Sequence, residues 1–220
     1  MFKNRKEAGK ELAKELEIYK TENPLILAIA RGGVEIGYYI AQLLECEWTV
    51  IITRKLAYPN YPEAAFGAVA EDRSLYFNPR VQEKLSKEVI EQAIRKEERE
   101  IQRRIHTYRN GLPLPHLKER TIILVDDGIA TGATLLASIK TCKKALAAKI
   151  IVASPVASME VTEQISGIVD DVIVLETPQY FFAVSQAYQN FKNLNDKEVL
   201  NFLQLDKSSH KNKLTKAGLH

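Results

Sequence analysis

At 220 residues, with 45% apolar and 27% charged side chains, the chain has the composition of an ordinary globular protein and enough apolar material for one sizeable core. No apolar run approaches the length of a membrane-crossing helix, and the charged start Met1-Phe-Lys-Asn-Arg-Lys-Glu7 lacks a signal-peptide core. A net charge of +3 is too weak to argue for nucleic acid by itself, and Cys46 and Cys142 lack metal-like spacing, so a reduced cytoplasm is expected.

Arg5 to Lys20 reads as an amphipathic helix with Leu12, Leu16 and Tyr19 on one face. Leu25 to Ala30 is a short, uniformly apolar run, the pattern of a strand buried on both faces of a parallel sheet. It ends in Arg31-Gly32-Gly33, and a helix is predicted from Val34 to Leu44. A strand running through a glycine loop into a helix is a candidate anion site: Gly33 would permit close backbone approach and Arg31 supplies positive charge. Turns use Gly-Gly just as freely. Trp48 to Thr53 is a further strand ending in Arg54-Lys55. A cation at that end of a parallel strand faces the ligand crevice of an open α/β sheet, so Lys55 is a candidate, against a solvated basic pair.

Leu56 to Ala64 reads as a Pro/Tyr-rich loop and Phe66 to Ala70 as a short strand. Glu71-Asp72 then reads as an exposed turn, with metal or hydroxyl binding as the rarer alternative. Ser86 to Arg109 is one long charged helix with sparse apolar positions at Val89, Ile90, Ile94, Ile101 and Ile105. Such a helix projects into solvent or packs through a narrow stripe. A stiff linker, Gly111 to Pro115, leads back to the centre of the chain.

That centre is Thr121-Ile-Ile-Leu-Val-Asp-Asp-Gly-Ile-Ala-Thr-Gly-Ala-Thr134. A buried strand, Thr121 to Val125, meets two carboxylates, Asp126 and Asp127, then a small-residue loop and a helix. Helix N-termini hold phosphate through unpaired backbone N–H groups. Ala130, Gly132 and Ala133 let backbone close on an anion, and Thr131 and Thr134 add hydroxyls. Two acids beside such a cradle would repel bare phosphate, unless the ligand also brings hydroxyls or Mg²⁺. A sugar phosphate fits both halves.

Beyond it follow a strand at Ile150–Ser154, a helix at Ser158–Ser166 and a strand at Val172–Glu176. Tyr180, Phe181 and Phe182 come next; they stack on a nucleobase or close the core. Asp196 to Leu203 looks helical, and Asp206 to His220 has the polar composition of a mobile tail. The alternation of strand and helix predicts an open parallel sheet flanked by helices, in one domain through residue 205.

The segment Val125-Asp-Asp-Gly-Ile-Ala-Thr-Gly-Ala-Thr134 closely resembles the phosphoribosyl-pyrophosphate (PRPP) signature of type I phosphoribosyltransferases. The resemblance implies that Asp126 and Asp127 hold the ribose hydroxyls and meet Mg²⁺ indirectly, through PRPP. It gives the 5′-phosphate to Ala130, Thr131, Gly132, Ala133 and Thr134, and the pyrophosphate to Arg31, Gly32 and Gly33. Lys55 would then stabilise the leaving group. Ala130 stands where the 6-oxopurine branch commonly has an Asp. Arg31-Gly-Gly-Val, Arg54-Lys-Leu, Gly67-Ala-Val-Ala-Glu-Asp72 and Phe182-Ala-Val together resemble a group of stand-alone bacterial phosphoribosyltransferases.

The implied activity is transfer of ribose 5-phosphate from PRPP to a nitrogenous base, with pyrophosphate as product and Mg²⁺ as cofactor. The implied insertion, about residues 56–110 and helical, would be a flap, the arm of a homodimer or a basic surface. Two other classes fit parts of the pattern. One is a PRPP-sensing regulator whose basic 95–109 helix meets nucleic acid. The other is a receiver-like domain, which also places Asp pairs at strand ends, though the Thr-Gly-Ala-Thr loop speaks against it.

Overall fold

The computed structural model describes residues 1–59, 61–79 and 85–205. Two strands open the fold, β1 (Leu25–Ile29) and β2 (Trp48–Ile51). A second sheet follows, with β3 (Thr53–Tyr58), β4 (Tyr61–Ala70) and β5 (Leu75–Phe77). The chain then returns with β6 (Thr121–Val125), β7 (Lys149–Val156) and β8 (Asp171–Glu176). The main sheet has five strands in the order β2-β1-β6-β7-β8, all parallel.

The apolar runs explain this order. β1 is buried throughout, and β6 is buried from Ile122 onward. Alternate residues supply two cores. Ile26, Ala28, Ile123 and Val125 face one side, against α1 (Arg5–Glu15) and α2 (Gly33–Leu44). Leu25, Leu27, Ile122 and Leu124 face the other, with Leu135, Leu136 and Ile139 of a later helix. The expected helix at 5–20 divides: it is α-helical to Glu15 and tightens to 3₁₀ over Leu16–Glu22. Asn4 caps its start by accepting from the Glu7 amide at 3.0 Å.

Residues 56–58 and 61–64 are strand, not loop. β3 and β4 form an antiparallel hairpin, with Leu56 and Phe66 fully buried and Tyr58 opposite Tyr61. Pro59 lies at the turn and Pro62 near the strand end, positions where a missing N–H is tolerated. β2 likewise ends at Ile51, so Arg54 and Lys55 sit on β3 of the second sheet, not at the tip of a parallel strand.

The next helix, α3 (Lys87–Arg109), begins at Ser86, whose hydroxyl accepts from the Val89 amide, and ends at left-handed Asn110. It does not project. Glu97, Ile101, Arg104, Tyr108 and Arg109 are buried along one stripe of its second half. The insertion is therefore an antiparallel sheet with a helix packed on it, not a helical arm alone. The remaining α-helices among the described residues are α4 (Ala133–Lys144), α5 (Met159–Ser166) and one over 196–205, and Val184–Ala187 form a 3₁₀ turn. No helix among the described residues is long and apolar enough to cross a membrane. The tail expected from Asp206 lies outside the described residues.

Candidate active site

β6 delivers Asp126 and Asp127 at its carboxyl end, in the middle of the main sheet. The connection from this strand to α4 is pinned on its far side. The Ile129 amide donates to the Val156 carbonyl at 2.9 Å, and the Ser158 hydroxyl donates to the Ala130 carbonyl at 3.1 Å. Gly132 is the residue before α4. Its φ of +68° is left-handed, and a side chain there would come within 2.7 Å of Val161. Being glycine, it offers no side-chain acceptor, so the first-turn amides of α4 have no side-chain cap.

A cleft of about 460 Å³ opens at this end of the sheet. Arg31, Gly32, Lys55, Asp126 and Thr134 all line it, so the structure gathers residues from distant stretches of chain that the sequence singled out. Thr53, Arg54, Lys96 and Glu97 line it as well. The last two come from α3, where the sequence showed merely a charged helix face. A larger cavity, of about 720 Å³, lies at the C-terminal ends of α3 and α4 and holds none of the expected substrate residues.

The two acids have different partners. Asp126 lines the cleft, and its carboxylate accepts from the Asp127 amide at 2.9 Å. Burial, then the neighbouring Asp127 charge, hold the Asp126 carboxyl well above the usual Asp range, while Lys55 opposes them. Asp127 is 7% exposed and turns back toward α1. Its Oδ2 accepts from Arg5 Nε at 2.8 Å and from an Arg5 terminal nitrogen at 2.6 Å. Tyr188 donates its hydroxyl to the Asp127 backbone carbonyl at 2.6 Å, and burial pushes that phenol far up. Neither Arg5 nor Tyr188 carried a local sequence signal, since each is remote in the chain from the acid it touches.

The glycine pair is explained by the same crowding. A side chain on Gly32 would lie 2.4 Å from the Asp127 carboxylate, and one on Gly33 would lie 2.4 Å from the Val125 carbonyl. The close approach that Gly33 permits is thus to β6. The Ala30–Arg31 peptide is cis, and Arg31 reaches to 3.7 Å from Asp196. Arg54 pairs with Glu97 at 2.8 Å, whereas Lys55 makes no salt bridge among the described residues. Thr53 and Ser138 share a buried hydroxyl bond of 2.8 Å, and Ser138 donates to the Thr134 carbonyl at 2.9 Å. The second sheet is thereby tied to the start of α4.

Tyr180, Phe181 and Phe182 do not line the cleft. Tyr180 and Phe182 are 72% and 81% exposed, while Phe181 leans on the core. Their segment leads into Val184, whose side chain sits against Gly128. Glu71 is not a ligand either: it is buried against Arg109. Among the described residues no group of three or more His, Cys, Asp or Glu is placed to hold a metal.

Known proteins point the same way. A profile for the phosphoribosyl transferase domain matches residues 2–190. Two Mycobacterium tuberculosis proteins with provisional phosphoribosyl transferase names are 36% identical over 205 residues, 92% of this chain but 46% of theirs. The chain thus spans about half the length of the curated relatives it matches. The crystal structure of TT1426 from Thermus thermophilus is similar with a TM-score of 0.77 at 33% identity, covering 92% of this chain and 97% of that one. With an acid pair, a glycine-capped loop and a helix N-terminus at the head of a parallel sheet, and a profile match over most of its length, the chain belongs to the phosphoribosyl transferase domain family.

Proposed function

We propose that the protein transfers the ribose 5-phosphate group of PRPP to a nitrogenous base and releases pyrophosphate. The convergence of Asp126, Thr134, Arg31 and Lys55 on one cleft carries this reading. Thr131, Thr134 and the backbone from Ala130 to Ala133 receive the 5′-phosphate at the start of α4. Asp126 accepts hydrogen bonds from the ribose hydroxyls. Arg31, Gly32 and Lys55 receive the pyrophosphate, whose charge grows as it leaves. Holding sugar and base in line, with cations waiting for the leaving group, requires no protein nucleophile.

Mg²⁺ fits as a partner of PRPP, neutralising pyrophosphate charge, with Asp126 the member of the acid pair that lines the cleft. Tyr180, Phe181 and Phe182 offer rings on which a base would stack, although they lie outside the cleft lining. Ala130 offers no proton donor or acceptor to a purine N7, so hypoxanthine and guanine are expected to be poor acceptors. The nucleic-acid alternative loses support, because Arg95, Arg103, Arg104 and Arg109 of α3 each pair with an acid.

The test is pyrophosphate release across a panel of bases, together with melting in PRPP and Mg²⁺. Ligand at about 100 times its dissociation constant stabilises by ~2.7 kcal/mol. Asp126→Asn and Thr131→Val are each expected to shrink the melting shift strongly. A full shift in both variants, or no pyrophosphate release with any base, counts against the reading.

A further inference from the structure

We propose that Asp127 acts as a strut beneath the pyrophosphate loop, held there by Arg5, and that Asp126 alone of the pair meets the ribose. This rests on the PRPP reading above and assigns a role to two residues within it.

The argument is geometric. Three layers stack at the end of β6. Gly32 lines the cleft, and the Asp127 carboxylate lies so close behind it that any side chain on Gly32 would strike all three carboxylate atoms at 2.4 Å. Arg5 lies beyond, with two nitrogens on Asp127 Oδ2 at 2.8 and 2.6 Å. A carboxylate gripped by a buried guanidinium, with the Gly32 backbone close against it, is held in one place.

Arg5 is itself fixed from three sides. Its remaining terminal nitrogen donates to the Lys192 carbonyl at 2.7 Å. Its guanidinium lies over the Phe191 ring at 4.3 Å and near Tyr188 at 5.9 Å. Tyr188 closes the circle by donating to the Asp127 carbonyl. Buried side chains this fully bonded have one arrangement, and what they press against inherits it. Gly32 is what Asp127 presses against, and Arg31 is its neighbour in the chain. Arg5 and Asp127 are therefore positioning residues for the pyrophosphate half of the cleft.

The experiment is calorimetric titration of the full chain with three probes: PRPP with Mg²⁺, pyrophosphate with Mg²⁺, and ribose 5-phosphate. The main variant is the double Arg5→Met/Asp127→Asn, which removes one charge of each sign. The strut predicts weaker binding of pyrophosphate and PRPP by a similar factor, roughly tenfold or more, as for a binding group that has lost its placement. Ribose 5-phosphate binding stays as in the wild type. Tyr188→Phe keeps both charges and the ring, so it carries the test if the double variant does not fold; it is expected to show the same selectivity, smaller in size.

Loss of ribose 5-phosphate affinity with pyrophosphate unchanged would make Asp127 a sugar ligand and overturn the strut. Wild-type affinity for all three probes in the folded variants would overturn it too. A wild-type protein that binds none of the probes sinks the PRPP reading itself, before any variant is made.

Discussion

Arg109, the last residue of α3, and Glu71, in the turn after β4, form an ion pair with both side chains 6% exposed. The pair sits where the chain changes sheets. Glu71 also accepts from the Ile52 amide at 3.0 Å, and Arg109 also donates to the Val50 carbonyl at 3.3 Å. Ile52 is the single residue between β2 and β3, so its N–H belongs to neither ladder. Glu71 satisfies it. Burial still pushes the Glu71 carboxyl up, against the pull of Arg109.

Removing one partner of a buried pair strands the other. Glu71→Leu is expected to cost about 3–5 kcal/mol, read as a lower urea midpoint. A double Glu71→Leu/Arg109→Met variant is expected to recover part of that loss, since no bare charge remains. A single variant as stable as the wild type would mean that the sheet switch is held by packing alone.

Hydrogen exchange along α3 is expected to be graded. The buried stripe runs from Glu97 to Arg109, whereas Lys87 to Lys96 contributes half-exposed residues such as Ile90 and Ile94. Amides over 88–95 should exchange far faster than those over 100–108. Uniform protection along the helix would contradict this.

Gly33→Ala is expected to destabilise the free protein by about 1–3 kcal/mol or more, because the added carbon meets a backbone carbonyl that cannot yield. Thermal melting without ligand measures it. Were Gly33 needed for ligand approach alone, the free protein would keep its melting temperature.

Glu100 links pH to the anchoring of α3. Hydrogen bonds from Arg103, and then Arg104, lower its carboxyl from the ordinary 4.5 to about 2. A depressed carboxylate contributes stability that is fully present above the unfolded value and lost as pH falls through the folded one. The window is therefore from about 4.5 down to about 2. The pair is partly exposed, so the contribution is ~1 kcal/mol. Glu100→Gln should be less stable than the wild type at neutral pH, and the difference should vanish in acid.

The strands of the main sheet were legible because each is a short, mostly apolar run, although β7 continues through Pro155 to Val156, past the Ser154 end that the sequence suggested. The central loop was legible because its chemistry is contiguous, from Asp126 to Thr134. The β3–β4 hairpin was hidden by Pro59 and Pro62, which a turn and a strand end absorb. Contacts across long separations left no trace either. Arg5 and Asp127 are 122 residues apart, and nothing in Asn4-Arg5-Lys6 marks that arginine as buried. Lys96 and Glu97 read as part of a solvated face, since their position over the cleft depends on how α3 docks.

One helix, α4, serves two masters along its length. Its first turn adjoins the loop of Thr131 and Gly132; one turn on, Ser138 bonds Thr53 of β3, and Thr141 donates to Asp72 at 2.7 Å. A chimera that imports the loop from a relative, but keeps the native helix, would preserve the mounting of the second sheet. A chimera that swaps the helix too would break those hydroxyl bonds unless Thr53 and Asp72 travel with it. The smallest transplantable unit of this cleft is thus the loop together with the helix it opens and the β3–β4 segment that helix holds.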